Sequence, residues 1–377
     1  MQSGRKFFTL LNPVQISKYN KIRNIHFGNE KVGGKYVAVT IKDVAKKANV
    51  SISTVSRVLS DSPKISEKTK KHVRKVIEEL GYHANLNARS LVQQTTKTIG
   101  VIMKHSASEA VHTTFIPEVL RGISYVCNKY EYSIRLSTGE SEEDLFQDVL
   151  KMVNGKQVDG VLVLYSKKDD PVVDYLIQSQ IPFVILGKPT KDVNKIAYVD
   201  NDNILAAMDA TQYLIKLGHK RIAFIGDDKK YEVTNARLAG FQQSLRANQL
   251  EICDEYIKNI NYNYEEGVQV IHELLSLPEP PTAMVLTDDL NALIVLSALS
   301  KIGLKVPEDV SVICFNNSTI SRVSNPRLTS VDIQIFQLGY EAAKTVIEQI
   351  NEPNALKKSL IIPTKIVERD SCKKMIP

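Results

Sequence analysis

The sequence predicts an all-α head that contains a helix-turn-helix, followed by an α/β body built from two lobes with parallel sheets. Residues 39–82 hold three short stretches with helical apolar spacing, whereas apolar strands alternate with amphipathic helices from Thr98 onward. With 377 residues, 43% of them apolar, the chain is long enough to bury two or three separate cores. A multidomain organisation follows.

The charge distribution separates a basic N-terminal part from an acidic remainder. Residues 39–97 contain twelve Lys/Arg and five Asp/Glu residues, a net charge of +7, and residues 1–38 carry a further +6. Because the whole chain carries +7, residues 98–377 carry −6. A basic head on an acidic body predicts a polyanionic partner for the head alone.

Capping residues and apolar periodicity define three helices in the head. Thr40 can cap a first helix over I-K-D-V-A-K-K-A, and Asn49 tolerates the positive φ of a tight turn. Ser51 can cap a second helix over I-S-T-V-S-R-V-L. Ser66 can cap a third over E-K-T-K-K-H-V-R-K-V-I-E-E-L, which ends at Gly81. The first two helices and their short turn are typical of a helix-turn-helix.

The second of these helices favours DNA binding over the alternative of a helical bundle with a solvated basic face. Its exposed residues are predicted to be Ile52, Ser53, Ser56 and Arg57. The serines allow close approach to DNA, and the arginine can bind guanine with two hydrogen bonds. Hydroxyl and basic groups near helix N-termini are predicted to contact phosphates. These residues are Thr40, Ser51, Thr54, Lys64, Ser66 and Thr69.

The segment V-T-I-K-D-V-A-K-K-A-N-V-S-I-S-T-V-S-R-V-L resembles the head of the lactose/galactose repressor family of bacterial transcription regulators. The likeness continues along the chain from about Val39. It implies that the second helix enters the major groove, where Ile52, Ser53 and Arg57 read base edges. Ser60 stands where many members have Asn.

Residues 83–97, which begin H-A-N-L-N-A-R-S-L-V-Q-Q, are predicted to form a hinge helix and a linker. Asn85 can cap two turns of helix, which are too short to be stable alone in water. The resemblance implies that two copies pack over the minor groove, with Leu91 wedged into a base step. It also implies contacting and helix-packing roles for Asn85 and Ala88, and places Arg89 near the DNA backbone. A passive linker is the alternative.

Continuous apolar runs separated by helices predict parallel sheets in the body, covered on both faces. Ligands of such sheets bind beyond the carboxyl ends of the strands, so two facing lobes form a cleft. The runs are T-I-G-V-I-M, Y-S-I-R-L-S-T, V-D-G-V-L-V-L, P-F-V-I-L-G, R-I-A-F-I-G, T-A-M-V-L-T and V-S-V-I-C-F.

The body resembles the periplasmic sugar-binding-like domain of the same family in V-D-N-D-N-I-L-A-A, L-I-K-L-G-H-K-R-I-A-F-I-G, R-L-A-G-F and N-P-R-L-T-S-V. The resemblance implies three chain crossings between lobes, which we predict near residues 197, 331 and 357. The predicted divisions are a leader over 1–38, a head over 39–82, an effector-binding and dimerisation domain over 98–371 (N-lobe 98–197 and 331–357, C-lobe 198–330 and 358–371) and a tail over 372–377.

Four residues are predicted to bind a sugar effector in the cleft. Sugars require charged groups that form paired hydrogen bonds and an aromatic platform. The resemblance puts Arg237 and Asp288 at effector-contacting positions, Tyr262 at a stacking position and Phe115 at another aromatic position on the opposite lobe. The alternatives are a structural salt bridge for the arginine, a helix cap for the aspartate and core packing for the aromatics.

Two further polar segments are not assigned to the effector. Asp202 and Asn203 precede I-L-A-A-M-D-A-T-Q-Y-L, which fits a helix start. Cys314-Phe315-Asn316-Asn317 stands where the family usually has Gly-Phe-Asp-Asp/Asn. The missing acidic group at 316 weakens any polar contact expected there.

The sequence argues against an enzyme and against a transport-type sugar-binding protein. It contains no G-x-S-x-G, no P-loop, no G-x-G-x-x-G after a strand and no ligand-spaced His/Cys cluster, so no cofactor or metal is expected. The four cysteines are interpreted as reduced thiols. A transport protein would need a secretory signal and would lack the helix-turn-helix. Without such a signal or an apolar run of about 18 residues, a cytoplasmic location and no membrane contact are predicted.

These observations predict a ligand-controlled repressor that binds a near-palindromic DNA operator as a homodimer, because one such head reads few base pairs. The C-terminus has no heptad repeat for a tetramer. The chain is most similar to the maltose-operon repressors of Gram-positive bacteria, which implies maltose or a short maltodextrin as the effector that releases the operator. A catabolite-type regulator, controlled by another sugar or by a phosphorylated carrier protein, is the alternative.

Residues 1–38 match nothing in the family. Their basic character is compatible with a nucleic-acid-binding tail. Gly33-Gly34-Lys35 is also what a ribosome-binding site of the GGAGGTAAA type would encode, with Val37 or Val39 at a start-codon distance. We therefore expect a leader that is either disordered or the product of a mis-assigned start.

Overall fold

The structure, a computed structural model, describes residues 31–32, 35–36, 39–82, 95–103, 113–137 and 139–375. The chain divides into two compact units, residues 1–94 and 95–377. The predicted hinge residues lie outside the described residues; they are Asn85, Ala88, Arg89 and Leu91.

Two short strands lie in the predicted leader. β1 (Lys31–Val32) and β2 (Lys35–Tyr36) pair in antiparallel fashion. The expectation that the leader is disordered or the product of a mis-assigned start stays a prediction, and the other residues up to 38 lie outside the described part.

The head contains the three predicted helices. They are α1 (Ile41–Lys47), α2 (Ile52–Leu59) and α3 (Glu67–Leu80). Asn49 in the turn after α1 has φ 52°, and Gly81 after α3 has φ 59°, as the turn and the helix stop require. One apolar cluster joins the helices through the buried residues Val44, Ala45, Ala48, Val55, Val58, Val73 and Val76.

Hydroxyl groups cap two of these helices, as the sequence predicts. The Ser51 hydroxyl accepts a hydrogen bond from the Thr54 amide at 3.1 Å, and the Ser66 hydroxyl accepts one from the Thr69 amide at 3.3 Å. At α1 the arrangement differs, because the Thr40 amide and hydroxyl both donate to the Asp43 carboxylate, at 2.8 and 2.7 Å.

The N-terminal lobe of the body contains a six-stranded parallel sheet in the order β13-β7-β6-β5-β3-β4. Its strands are β3 (Thr98–Ile102), β4 (Ser133–Leu136), β5 (Gly160–Val163), β6 (Phe183–Leu186), β7 (Ala197–Asp200) and β13 (Ser359–Ile361). Its helices are α4 (Phe115–Lys129), α5 (Glu142–Asn154), α6 (Pro171–Ser179) and α12 (Ile335–Asn351).

The C-terminal lobe contains a six-stranded sheet in the order β14-β12-β11-β10-β8-β9, parallel except for β14. Its strands are β8 (Ile222–Gly226), β9 (Ile257–Asn259), β10 (Ala283–Leu286), β11 (Ser311–Phe315), β12 (Thr329–Asp332) and β14 (Lys365–Val367). Its helices are α7 (Asn203–Lys216), α8 (Glu232–Ala247), α9 (Tyr264–Leu275), α10 (Asp289–Lys301) and α11 (Thr319–Val323), with a 3-10 turn at Asp254–Tyr256.

The chain crosses between the lobes three times, a few residues after each predicted point. The crossings follow β7 at residues 201–202, β12 at 333–334 and β13 at 362–364. The predicted lobe boundaries at 197, 331 and 357 are therefore corrected. The predicted points lie before the ends of β7, β12 and β13. Each of these strands stays in its own lobe to its end, because β7 and β13 pair within the N-terminal sheet and β12 pairs with β11.

Both ends of the body extend further than predicted. The Asp159 carboxylate accepts hydrogen bonds from the amides and hydroxyls of the segment 95–97, so the predicted linker ends at residue 94 and not at 97. At the other end, the Lys373 amide donates to the Ser311 hydroxyl at 3.1 Å, and the Met375 amide donates to the Leu217 carbonyl at 2.7 Å. Residues 372–375 are therefore part of the lobe and not a free tail.

Two glycines allow α4 and α12 to cross closely. A Cβ atom on Gly122 would lie 2.2 Å from the carbonyl oxygen of Phe336, and one on Gly339 would lie 2.2 Å from that of Val119. Both distances are far below contact, so each position requires glycine. Along the described part of the chain, no helix combines the length and apolar character needed to cross a membrane.

Candidate DNA-binding and effector sites

Helix α2 presents the predicted base-reading residues on one exposed face. Val55 and Val58 are buried in the core of the head and fix the rotation of the helix. The opposite face exposes an aliphatic side chain, two hydroxyls and a guanidinium. These belong to Ile52, Ser53, Ser56 and Arg57. Ile52 is 46% exposed, which is unusual for an isoleucine and fits a surface that a partner covers.

Ion pairs occupy some of the charges of the head. Asp61 bonds to the ammonium of Lys70 at 3.2 Å and to the guanidinium of Arg74 at 2.6 Å, and these cations lower the pKa of that carboxyl. Within residues 39–82, by contrast, no salt bridge involves Arg57 or Lys64, and both are exposed. The surface near α2 therefore keeps positive charge that neighbouring carboxylates do not compensate.

The hydroxyls predicted to contact phosphates lie at the starts of α2 and α3. The hydroxyls of Ser51 and Thr54 are hydrogen-bonded to each other at 2.8 Å, and those of Ser66 and Thr69 at 2.9 Å. Each pair is at a helix N-terminus, where amide dipoles favour an anion. Thr40 is less suitable, because its hydroxyl donates a hydrogen bond to the Asp43 carboxylate, which would repel a phosphate.

The four residues predicted to bind the effector line one cleft of about 1120 Å³. Phe115 enters from the N-terminal lobe as the first residue of α4. Arg237 on α8, Tyr262 after β9 and Asp288 after β10 come from the C-terminal lobe. Residues far apart in the sequence thus converge because their strands end at the same edges of the two sheets.

Arg237 and Asp288 are the two charged residues of this group, and each is only 5% exposed. The Nε of Arg237 donates to Oδ1 of Asn203 at 2.9 Å, and its Nη1 donates to the Thr287 carbonyl at 2.6 Å. Its guanidinium carbon also lies 4.1 Å from the centre of the Phe315 ring. Burial lowers the pKa of Arg237 to about 10, so the group remains charged at neutral pH.

Asp288 caps α10 and faces the cleft at the same time. Its Oδ1 accepts from the Leu290 amide at 2.7 Å, and its Oδ2 accepts from the Asn316 side chain at 2.8 Å. Burial raises the pKa of Asp288, and the neighbouring Asp289 adds to the shift. Asn316 thus makes a polar contact in the cleft although the position has lost the acidic group usual in the family.

Tyr262 and Phe115 supply aromatic surface. The Tyr262 hydroxyl donates to Oδ2 of Asp227 at 3.2 Å, and the backbone of Tyr262 has φ 54°. Both residues are half-buried and line the cleft. Tyr165 and Tyr198 also line the cleft.

Asp200 and Asn203 take part in this site, although the sequence did not single them out for it. Asn203 Nδ2 donates to Oδ1 of Asp200 at 2.9 Å, and the same Asn203 side chain accepts from Arg237. Burial raises the pKa of Asp200 to about 6. Asp202 does cap α7, as predicted, since it accepts from the Leu205 amide at 2.9 Å. The sequence feature that could have identified these residues is a polar residue at or directly after the end of a strand, as in A-Y-V-D-N and I-G-D.

The two lobes are in direct contact around the cleft. The Thr114 hydroxyl donates to Asp289 at 2.8 Å, and the Glu232 amide donates to the Ser166 carbonyl at 2.9 Å. Lys230 of the C-terminal lobe lies 3.3 Å from Glu142 of the N-terminal lobe. In the described arrangement the lobes therefore touch each other beside the cleft.

A helix-turn-helix head and a two-lobed body with a polar cleft define a DNA-binding regulator with a small-molecule site. Residues 40–85 match the family of bacterial regulatory proteins, lacI family, and residues 211–372 match the periplasmic binding protein-like domain. The chain belongs to the LacI family, and it is a transcriptional repressor of a sugar operon, not an enzyme. The predicted family and fold class are confirmed.

Three known proteins show how far the similarity extends. The HTH-type transcriptional regulator MalR of Streptococcus pneumoniae is 40% identical over 344 residues, 88% of this chain and 99% of the relative. The solved structure of a probable maltose operon transcriptional repressor of Staphylococcus aureus is 30% identical, with a TM-score of 0.68, over 74% of this chain and 98% of that one. A complex of the transcriptional regulator CelR with cellobiose is 30% identical, with a TM-score of 0.69, over 88% and 99%.

Proposed function

We propose that this protein binds a near-palindromic operator as a homodimer and that maltose or a short maltodextrin, bound in the cleft, releases it. The observation that carries the proposal is the convergence of Phe115, Arg237, Tyr262 and Asp288 on one cleft. Operator DNA lies in the cytoplasm, so we propose that the protein acts there. Ile52, Ser53, Ser56 and Arg57 read bases in this proposal, and the hydroxyls at the starts of α2 and α3 bind phosphates.

The balance of charge favours a neutral sugar over a sugar phosphate. The buried cation Arg237 lies among Asn203 and the carboxyls of Asp200 and Asp288, whose charges raise its pKa against the effect of burial. A phosphate would bring about two negative charges to a place that already holds acidic groups. Sugar hydroxyls, in contrast, can donate to the carboxylates and accept from the guanidinium.

The related structures support a disaccharide. The CelR structure holds cellobiose, and the Staphylococcus aureus protein carries the name of a maltose operon repressor. Cellobiose and maltose each consist of two linked glucose units, and the half-buried aromatic side chains of Phe115 and Tyr262 suit the apolar faces of such rings.

Operator binding by the purified full-length protein, measured with and without maltose, tests the proposal. We expect weaker operator binding with maltose, and calorimetry with a sugar panel should give saturable binding of maltose. Binding of a sugar phosphate but not maltose would overturn the assignment of the ligand. Tighter operator binding with maltose would reverse the proposed direction of control.

The alternative partner is a phosphorylated carrier protein, as in a catabolite-type regulator. This partner stays a prediction from the family resemblance. An operator complex that a phosphorylated carrier protein strengthens, and that maltose leaves unchanged, would favour this alternative.

A further inference from the structure

The side chain of Asn201 joins the three chain crossings between the lobes. Asn201 lies in the first crossing, directly after β7, and is 4% exposed. Its Nδ2 group donates to the Ile333 carbonyl in the second crossing at 3.2 Å and to the Ile362 carbonyl in the third crossing at 2.8 Å. Both N–H bonds of the amide are thereby used, so this group is not available to a ligand.

Two further hydrogen bonds connect the crossings. The Gln334 side chain in the second crossing donates to the Pro363 carbonyl in the third at 2.7 Å. The Ile362 amide donates to the Asp200 carbonyl at 2.8 Å. The three crossings are therefore hydrogen-bonded to one another, so one of them cannot change its conformation without affecting the other two.

This junction is linked to the cleft through side chains. Asp200, the residue before Asn201, accepts from Asn203, and Asn203 accepts from Arg237, each at 2.9 Å. A continuous series of hydrogen bonds and one peptide unit thus runs from the guanidinium in the cleft to the amide that joins the crossings. A ligand that moves Arg237 acts directly on this series.

We propose that Asn201 is a positioning residue, with Gln334 in support, that holds the crossings in one arrangement and converts a change at Arg237 into a rotation of the lobes. A buried amide that loses its carbonyl partners is left with the full cost of its desolvation. Rotation therefore requires these bonds to break or to change partner together, which makes the junction switch between discrete arrangements.

The test compares three variants of the full-length protein. Asn201→Ala removes both bonds, and Gln334→Ala removes only the bond between the second and third crossings. Asn291→Ala is the matched control, because the Asn291 amide also donates to a buried carbonyl, that of Ile260 at 3.2 Å, but within one lobe. Hydrogen–deuterium exchange without sugar, on peptides over 331–337 and 360–366, measures the junction.

We expect at least about tenfold faster exchange in both peptides for Asn201→Ala, in the 360–366 peptide for Gln334→Ala, and in neither for the control. Wild-type exchange in both junction variants would overturn the proposal. If Asn201→Ala does not fold, Gln334→Ala decides the question.

A second measurement separates positioning from mere stabilisation, and it rests on the proposed function. Couplings of this kind change affinity by about 5- to 150-fold. We expect the ratio of operator affinities without and with maltose to fall toward 1 in Asn201→Ala and to keep its wild-type value in Asn291→Ala. Equal losses in both variants would overturn the positioning role. If maltose does not change the operator affinity of the wild-type protein, the proposed effector is contradicted. The exchange measurement would still decide the role of Asn201.

Discussion

The Nε atom of Arg237 lies 2.9 Å from Oδ1 of Asn203, and this bond ties the buried cation of the cleft to the start of α7. The remaining donors of the guanidinium are held in place by this bond and by the Thr287 carbonyl. Arg237 therefore offers an arriving ligand N–H groups whose starting orientation is already set by these two bonds.

Arg237→Ala should abolish the response to maltose and leave operator binding intact. A hydrogen bond to a charged group contributes about 1.5–3 kcal/mol, so maltose affinity should fall by at least about tenfold. Calorimetry measures the sugar and fluorescence anisotropy the operator. Arg246→Ala, an exposed arginine on the last turn of the same helix, is the control and should behave as wild type. Wild-type maltose affinity in Arg237→Ala would contradict the assignment.

Asp200 should make stability depend on pH. Its pKa is about 6 in the folded protein and about 4 in an unfolded chain, so the folded state binds the proton more tightly. Its contribution to the free energy of unfolding is therefore present at low pH and is lost as pH rises through about 6.

Asp200→Asn should remove this dependence. The free energy of unfolding of the wild type relative to Asp200→Asn should fall on the order of 1–2 kcal/mol between pH 5 and 7.5. Urea denaturation at the two pH values measures it. A difference that stays constant, or that grows with pH, would refute the expected protonation.

Arg57→Ala should weaken operator binding and relax base preference at one position of each half-site. Loss of a guanine contact costs about 1–3 kcal/mol, and because Arg57 is exposed and outside the core of the head, folding should be unaffected. Lys68→Ala removes one exposed positive charge from α3 and is the control. It should weaken operator and random DNA equally. If Arg57→Ala also weakens binding to operator and to random DNA equally, Arg57 contacts only the sugar-phosphate backbone of the DNA.

Leu91→Ala should reduce operator affinity and DNA bending while maltose binding and dimerisation persist. The family resemblance assigns this side chain to a wedge in the minor groove, and alanine is too short to unstack a base step. Circular-permutation gel shifts measure the bend, with Val92→Ala as the neighbouring control. Normal repression by Leu91→Ala would return the segment to a passive linker.

The head could be predicted nearly residue by residue because its signals are local. Each helix has its own cap and apolar stripe, and the positive φ of Asn49 is set by the turn next to it. In the body, the long apolar strands were also found. The body strands β7, β9, β12, β13 and β14 were missed, because strands of three or four residues that include polar ones carry no such run.

The roles of Asn203 and Asn201 could not be predicted, because they depend on partners far away in the sequence. In the local sequence, a residue that begins a helix cannot be told from one that orients Arg237. Asn203 does both, since it begins α7 and accepts a hydrogen bond from Arg237. Asn201 acquires its partners only when chain segments 132 and 161 residues away come together. The resemblance named four residues that line the cleft, and it did not name the polar residues that hold them in place.

The Asp159 carboxylate attaches the first residues of the body to the N-terminal lobe. It accepts hydrogen bonds of 2.5 to 2.8 Å from residues 95–97, so the polypeptide leaves the lobe from a fixed point. Any displacement of the N-terminal lobe therefore moves residues 95–97 together with it.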